Sequence, residues 1–197
     1  MRKRQEAECL PRIIAGSARG ISLLVPEGLD TRPTADSRKE AIFSSIQFDI
    51  PGSRFLDLFA GSGAAGLEAL SRGAQKAVFV EAGHKAAVCI QKNMEKTRLA
   101  QNARLLEETA EQAIGRLAAE GETFDLIFLD PPYHKGHEEQ SVSAIAEKGL
   151  LAEGGKIVVE SAADTEFCVP ASFRVIKTKI YRMTKFTLLT REQGECE

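Results

Sequence analysis

From Gly52 onward, short apolar runs alternate with stretches of helical periodicity. The runs are RFLDLF (54–59), KAVFVE (76–81), ARLLEE (103–108), FDLIFL (124–129) and GKIVVE (155–160), and four of the five are rich in β-branched or aromatic residues. Nearly continuous apolarity over a strand's length marks a strand buried on both faces. Helical stretches fall between them, near 63–73, 84–98, 110–120 and 137–150. Strand and helix in alternation predict an α/β fold whose mostly parallel sheet is covered on both sides. After Glu160 the pattern changes. FRVIKTKIY and TKFTLLT follow one another across a short gap, which predicts an antiparallel hairpin closing a seven-stranded, Rossmann-like sheet.

The first fifty residues read differently. RIIAGSARGISLLVP has two short strand-like runs around a glycine-bounded turn, and a hairpin is expected there. TRPTADSRKEAIFSSI follows. Pro33 blocks a strand, Thr34 or Ser37 is suited to cap a helix, and Ser37-x-x-Glu40 has capping-box spacing. Ala41, Ile42, Ser45 and Ile46 then form one helical face. Residues 1–50 are therefore expected to form a hairpin-and-helix extension, and 51–197 the main domain. There is no internal repeat and no low-complexity linker.

The first predicted strand runs into FLDLFAGSGAAGLEAL, where Gly61-x-Gly63-x-x-Gly66 opens a helix. Glycines let the backbone approach a ligand closely, and the helix start offers unpaired N–H groups. Glu81 ends the next strand, 20 residues after Gly61, where a carboxylate accepts both hydroxyls of a ribose. These features fit the dinucleotide fingerprint and leave NAD and other adenosine-containing ligands open. Asp57 separates the two. A carboxylate four residues before Gly61 does nothing for a pyrophosphate. It favours a ligand carrying an amino group and a sulfonium, as S-adenosylmethionine does.

The fourth strand ends in Asp130-Pro131-Pro132-Tyr133. In an open α/β sheet the carboxyl ends of the strands line the ligand crevice, so this tetrapeptide should face the same space as Gly61 and Glu81. The prolines fix φ and bring no N–H. A carboxylate, a rigid carbonyl and a flat ring suit a base bearing an exocyclic amine. The amine donates two hydrogen bonds while the ring stacks. Held in this way, the nitrogen is aligned for transfer and made more pyramidal and nucleophilic.

Composition adds constraints. Hydrophobic residues make up 43% and charged residues 27% of 197 residues, as in an ordinary water-soluble domain, and the net charge of −2 gives no global case for nucleic acid. Between Phe167 and Arg191, however, no acidic residue interrupts Arg174, Lys177, Lys179, Arg182, Lys185 and Arg191, and the chain opens MRKR. That is either a solvated edge or a footprint for phosphates. Cys9, Cys89, Cys168 and Cys196 lack metal-ligand spacing and fit a reducing cytosol, with Cys89 expected in the core. MRKRQEAECLPR has no apolar segment of the signal-peptide kind, and no run approaches the roughly 20 apolar residues a bilayer span needs. A cytoplasmic protein without membrane contact is expected. His134 and His137 lie beside the proposed site, but no cysteine or carboxylate pair joins them and methyl transfer needs no metal, so none is expected. Glu160 could enter the crevice or cap a turn.

DPPY resembles the (D/N)PP(Y/F/W) motif of methyltransferases acting on amino groups of nucleic-acid bases, and FLDLFAGSG resembles their donor-binding loop. With RIIAGSARGISL and TRPTADSRKEAIF, the chain is similar from about Arg12 to Thr190 to the RsmD-type guanine-N2 methyltransferases of small-subunit ribosomal RNA. The resemblance implies a Rossmann-like class I methyltransferase that converts S-adenosylmethionine to S-adenosylhomocysteine. It implies cofactor contacts at Asp57, Phe59, Ala60, Gly61, Ser62, Gly63, Glu81, Ala82, Thr109 and Ala110. It places Asp130, Pro131, Pro132 and Tyr133 at the target base, and RNA contacts at Arg12, Arg19, Arg32, Arg38 and Lys39. The partner would be ribosomal RNA, free or within a small-subunit assembly particle. The chain departs from the family at Thr109, where an Asn or Asp usually stands, so adenine contact falls to its hydroxyl or to the Ala110 N–H. Ser37 stands where an Arg is common, and Lys39 replaces another. A DNA adenine-N6 methyltransferase, a nicotinamide-dependent oxidoreductase and a non-catalytic RNA-binding assembly factor are the alternatives.

Overall fold

A computed structural model of the chain describes residues 10–26 and 35–192, with side chains described from Arg38 onward in the second segment. Its strands are β1 (Arg54–Leu58), β2 (Lys76–Val80), β3 (Ala103–Leu106), β4 (Phe124–Leu129), β5 (Leu151–Ala162), β6 (Phe173–Tyr181) and β7 (Thr184–Arg191). They form one seven-stranded sheet in the order β3-β2-β1-β4-β5-β7-β6. The first five pair in parallel. β7 inserts antiparallel between β5 and β6. The order reverses between β1 and β4, and a ligand crevice opens at such a switch point.

The helices are α1 (Ala35–Ser45), α2 (Ala64–Ser71), α3 (His84–Thr97), α4 (Ala110–Ala119) and α5 (His137–Lys148). Successive strand residues serve opposite faces of the sheet. Phe55, Phe79, Phe128, Val158 and Phe186 enter one core with Ile42, Phe43, Leu67 and Ile90. Leu56, Leu58, Val78, Ile127 and Val159 enter the other with Ile114, Leu117, Val142 and Ile145. Asp57 therefore shares the side of Phe55, the side covered by α2. The close seating of α2 needs Gly66, where an added Cβ would come within 2.3 Å of the Phe79 ring.

The expected N-terminal hairpin is a minimal one, a single antiparallel bridge from Arg12 to Ser22, with the Ile13 N–H donating to the Ile21 carbonyl and the Leu23 N–H to the Pro11 carbonyl. The turn between its two arms donates its N–H groups to α2. Glu68 accepts from Ile14 (2.8 Å) and Ala15 (3.1 Å). The Ser71 carbonyl accepts from Ser17 and its Oγ from Ala18. Gly16 makes this possible: φ is +84° and a Cβ would lie 1.8 Å from the Ser71 carbonyl oxygen. α1 starts at Ala35, before Ser37, so Ser37 is not its N-cap; Thr34 lies outside the described residues. Ile42, Phe43 and Ile46 bury α1 in the same core as Phe55, so its apolar face includes Phe43 as well as the expected positions.

Candidate active site

A crevice of about 1220 Å³ lies at the carboxyl ends of β1, β2, β4 and β5. β1 stops at Leu58 because Phe59 takes φ +69°, a strained value for a bulky residue that turns the chain into the glycine loop. Asp57, Phe59, Ala60, Gly61, Ser62, Glu81, Ala82, Thr109 and Ala110 all line the crevice. Gly63 stands behind them as the left-handed residue that opens α2.

Glu81 holds this corner together. Its Oε2 accepts from the Gly61 N–H at 2.8 Å and its Oε1 from the Gly83 N–H at 2.8 Å. Each carboxylate oxygen keeps a further lone pair for a ligand hydroxyl. Asp57 is 2% exposed and accepts from the Gly66 N–H at 2.9 Å. Burial raises its carboxyl to about 7, against the lowering effect of the Gly66 bond and with a smaller upward push from Glu81. Thr109 also serves its own helix. Its hydroxyl and Gln112 form a capping box that starts α4, the hydroxyl donating to Gln112 Oε1 at 3.1 Å. With that proton committed, the Ala110 N–H, in the first turn where helix donors lack intrahelical acceptors, is left for a ligand.

Asp130, Pro131 and Pro132 line the same crevice, so the structure joins the two motifs. Solvent reaches Asp130 through the open mouth while protein crowds its other sides. Desolvation by that crowding pushes its carboxyl well up, and Glu160 and Asp57 add to the push while Arg38 opposes it. Tyr133 is half-buried and is not among the residues lining the crevice. Its hydroxyl donates to Glu160 Oε1 at 3.3 Å and lies 3.5 Å from Thr184 Oγ1. Desolvation raises its phenol above the ordinary value.

Glu160, at the end of β5, lies in the crevice. Arg38 Nη1 of α1 reaches its Oε1 at 3.3 Å and donates to Thr184 Oγ1 at 2.7 Å. Desolvation raises the Glu160 carboxyl, and Arg38 and the Tyr133 hydroxyl pull it back. His137 lines the crevice with its ring 5.8 Å from that of Phe59, and His134 takes φ +61° beside Tyr133. Among the described residues no group of three or more His, Cys, Asp or Glu is placed to hold a metal ion.

The residues expected at RNA separate. Arg38 and Lys39 line the crevice. Lys39 also bonds the Arg12 carbonyl at 2.6 Å and pairs with Glu68 at 3.5 Å. Arg12 and Arg19 are exposed on the N-terminal segment and are not among the residues lining the crevice, and Arg32 lies outside the described residues. The basic C-terminal stretch also divides, because β6 and β7 run in opposite directions. Tyr181 pairs with Thr184 at the crevice end, bringing Lys179, Arg182 and Lys185 there. Phe173 pairs with Arg191 at the far end, and Arg174 and Arg191 go with it. A single footprint of six residues flanking the crevice is thus not formed. Cys89 is buried, as expected.

The family model described as Conserved hypothetical protein 95, the RsmD family, matches residues 11–190. The chain belongs to this family. Among its RsmD relatives, Ribosomal RNA small subunit methyltransferase D of Escherichia coli is 36% identical over 188 residues, 94% of this chain and 93% of that protein. The Haemophilus influenzae protein of the same name is 34% identical over 90% of this chain and 92% of its own. The solved Escherichia coli yhhF structure aligns with a TM-score of 0.80 at 35% identity, covering 93% of this chain and 98% of that one. The RsmD-type chain thus has the class I methyltransferase fold, with the antiparallel C-terminal hairpin in place.

Proposed function

We propose that this protein transfers a methyl group from S-adenosylmethionine to the exocyclic N2 of a guanine in small-subunit ribosomal RNA, leaving S-adenosylhomocysteine. The observation that carries the reading is that one crevice joins the Gly61 loop and Glu81 to Asp130 and Pro131. Relatives named as small-subunit ribosomal RNA methyltransferases support the RNA substrate. Residues 1–50 would serve as an RNA-contacting extension of a methyltransferase domain at 51–197. The substrate would be RNA, free or in an assembling particle, and the setting the cytoplasm.

The cofactor site fits its ligand by chemistry. Glu81 suits a ribose diol, the Ala110 N–H suits an adenine ring nitrogen, and Asp57 suits a cationic amino group. Bound there, S-adenosylmethionine would supply an electrophilic methyl group on sulfur. The protein's task is then orientation. Asp130 and the Pro131 carbonyl accept the two N–H bonds of the target amine, and Tyr133 offers its ring to the base. As positive charge develops on nitrogen, the Asp130 carboxylate stabilises it, and its raised proton affinity suits it to take the proton that leaves. The amine is itself the nucleophile, so no covalent enzyme intermediate and no metal enter the scheme. The test is binding followed by turnover. Calorimetry should show S-adenosylhomocysteine binding, and the purified protein should place one labelled methyl on a guanine of unmodified small-subunit RNA. Tight NAD binding without S-adenosylhomocysteine binding would overturn the reading.

A further inference from the structure

We propose that Glu160 selects guanine by accepting the ring N1–H of the target base, beside the amine held by Asp130. The proposal rests on the methyl transfer argued above and adds a residue that reads which base is presented.

The placement follows from register. Leu129 of β4 pairs with Val159 of β5, so Asp130 and Glu160 are the next residues on neighbouring parallel strands. Such strands lie about 4.8 Å apart. Both side chains line the crevice. Glu160 is felt at Asp130 as the larger of its two acidic influences. The protein's own bonds to Glu160, from Arg38 and Tyr133, both fall on Oε1, so Oε2 carries neither of them. Arg38 also favours the ionised, accepting form and, with Thr184, fixes where the carboxylate sits.

Two adjacent acceptors call for two adjacent donors. Guanine alone among the common bases with an exocyclic amine flanks it with a ring N–H. Adenine places the N1 lone pair beside its N6 amine, and cytosine places N3 beside its N4 amine. Either lone pair would face the Glu160 carboxylate, leaving it desolvated and unpaired. A site built to accept a hydrogen bond rejects the analogue that cannot donate it. The arrangement therefore disfavours an adenine substrate without any steric device.

The test uses small-subunit RNA joined by splinted ligation, with either guanine or 2,6-diaminopurine at the methylated position. The analogue keeps the N2 amine and replaces the N1–H by a lone pair. Wild-type protein should favour guanine in kcat/KM by roughly ten- to a hundredfold, the range of a good bidentate base contact. Glu160→Gln offers both an acceptor and a donor at the same place, so its preference should fall to within about threefold. Unchanged S-adenosylhomocysteine affinity in the variant shows that the fold and cofactor site are intact. RNA affinity in the presence of S-adenosylhomocysteine gives the same ratio if the variant turns over too slowly to assay. A Glu160→Gln protein that keeps the wild-type preference overturns the proposal. A wild-type protein that leaves the guanine RNA unmethylated overturns the underlying reading and this proposal with it.

Discussion

Replacing Glu81 tests the cofactor site at the point where loop geometry and ligand chemistry meet. Glu81→Ala removes the acceptor of two backbone donors, Gly61 and Gly83, each held at 2.8 Å, as well as the proposed partner of the ribose. A hydrogen bond to a charged group contributes roughly 1.5–3 kcal/mol, so loss of the ribose bond alone should lower S-adenosylhomocysteine affinity about ten- to a hundredfold. Loss of the Gly61 anchor should add to this by releasing the loop that forms the crevice wall. Glu81→Gln is the sharper variant. An amide has one accepting oxygen where two N–H groups converge on two oxygens, so one N–H would meet an NH₂ group. Gln should therefore rescue little, with affinity still roughly tenfold below wild type. Calorimetric titration of S-adenosylhomocysteine gives the affinity, and unfolding of the ligand-free protein gives the loop contribution separately. Wild-type affinity in Glu81→Gln would refute the argument, since neither the charge nor the second acceptor would then matter.

Three further outcomes are expected. Asp130→Ala should lower turnover by about 2–4 kcal/mol in single-turnover methylation while leaving S-adenosylhomocysteine affinity nearly unchanged; methylation at the wild-type rate would mean that DPPY only ends a strand. Asp57, raised by burial from 3.8 to about 7, stabilises the fold fully below pH 3.8 and loses that contribution as pH rises through 7. Urea unfolding should therefore find Asp57→Asn gaining on wild type by up to about 4 kcal/mol between pH 4 and pH 8, and a constant difference would contradict the placement. Glu68 is fully buried and serves Ile14, Ala15, Arg72 and Lys39. Glu68→Ala should cost roughly 3–5 kcal/mol of stability in the same assay, and a loss below 1 kcal/mol would show that the N-terminal loop stands without it.

What could be read in the residues, and what could not, follows from the range of the interactions. The strands of the parallel sheet were legible because a strand buried on both faces must be apolar nearly throughout, as FDLIFL is apart from Asp125 near its start. The glycine loop and DPPY were legible because each is a local backbone requirement with its chemistry attached. The N-terminal hairpin was legible only in its arms, which meet at Arg12 and Ser22; the partners of its turn, Glu68 and Ser71, lie 53 and 54 residues away and nothing local announces them. Glu160 was visible as a strand-ending carboxylate, but its partner Arg38 is 122 residues distant, so its place in the crevice could not be chosen. Thr109 and Gln112, three residues apart, have the spacing of a capping box, so that second role of Thr109 is local to the sequence too. The basic C-terminal stretch folds back on itself, so the turn between β6 and β7 carries Lys179, Arg182 and Lys185 to the crevice end while Arg174 and Arg191 meet at the other.

The central claim is that the crevice joins a methyl donor to a guanine amine. Nucleotide-resolution mapping of small-subunit ribosomal RNA from cells lacking this protein tests it most directly, with the purified protein and labelled S-adenosylmethionine added back to that RNA or to the particles containing it. The account predicts one guanine that has lost its N2 methyl group, restored by the wild-type protein and not by Asp130→Ala. An unchanged methylation map, or a restored methyl on an adenine, would contradict it.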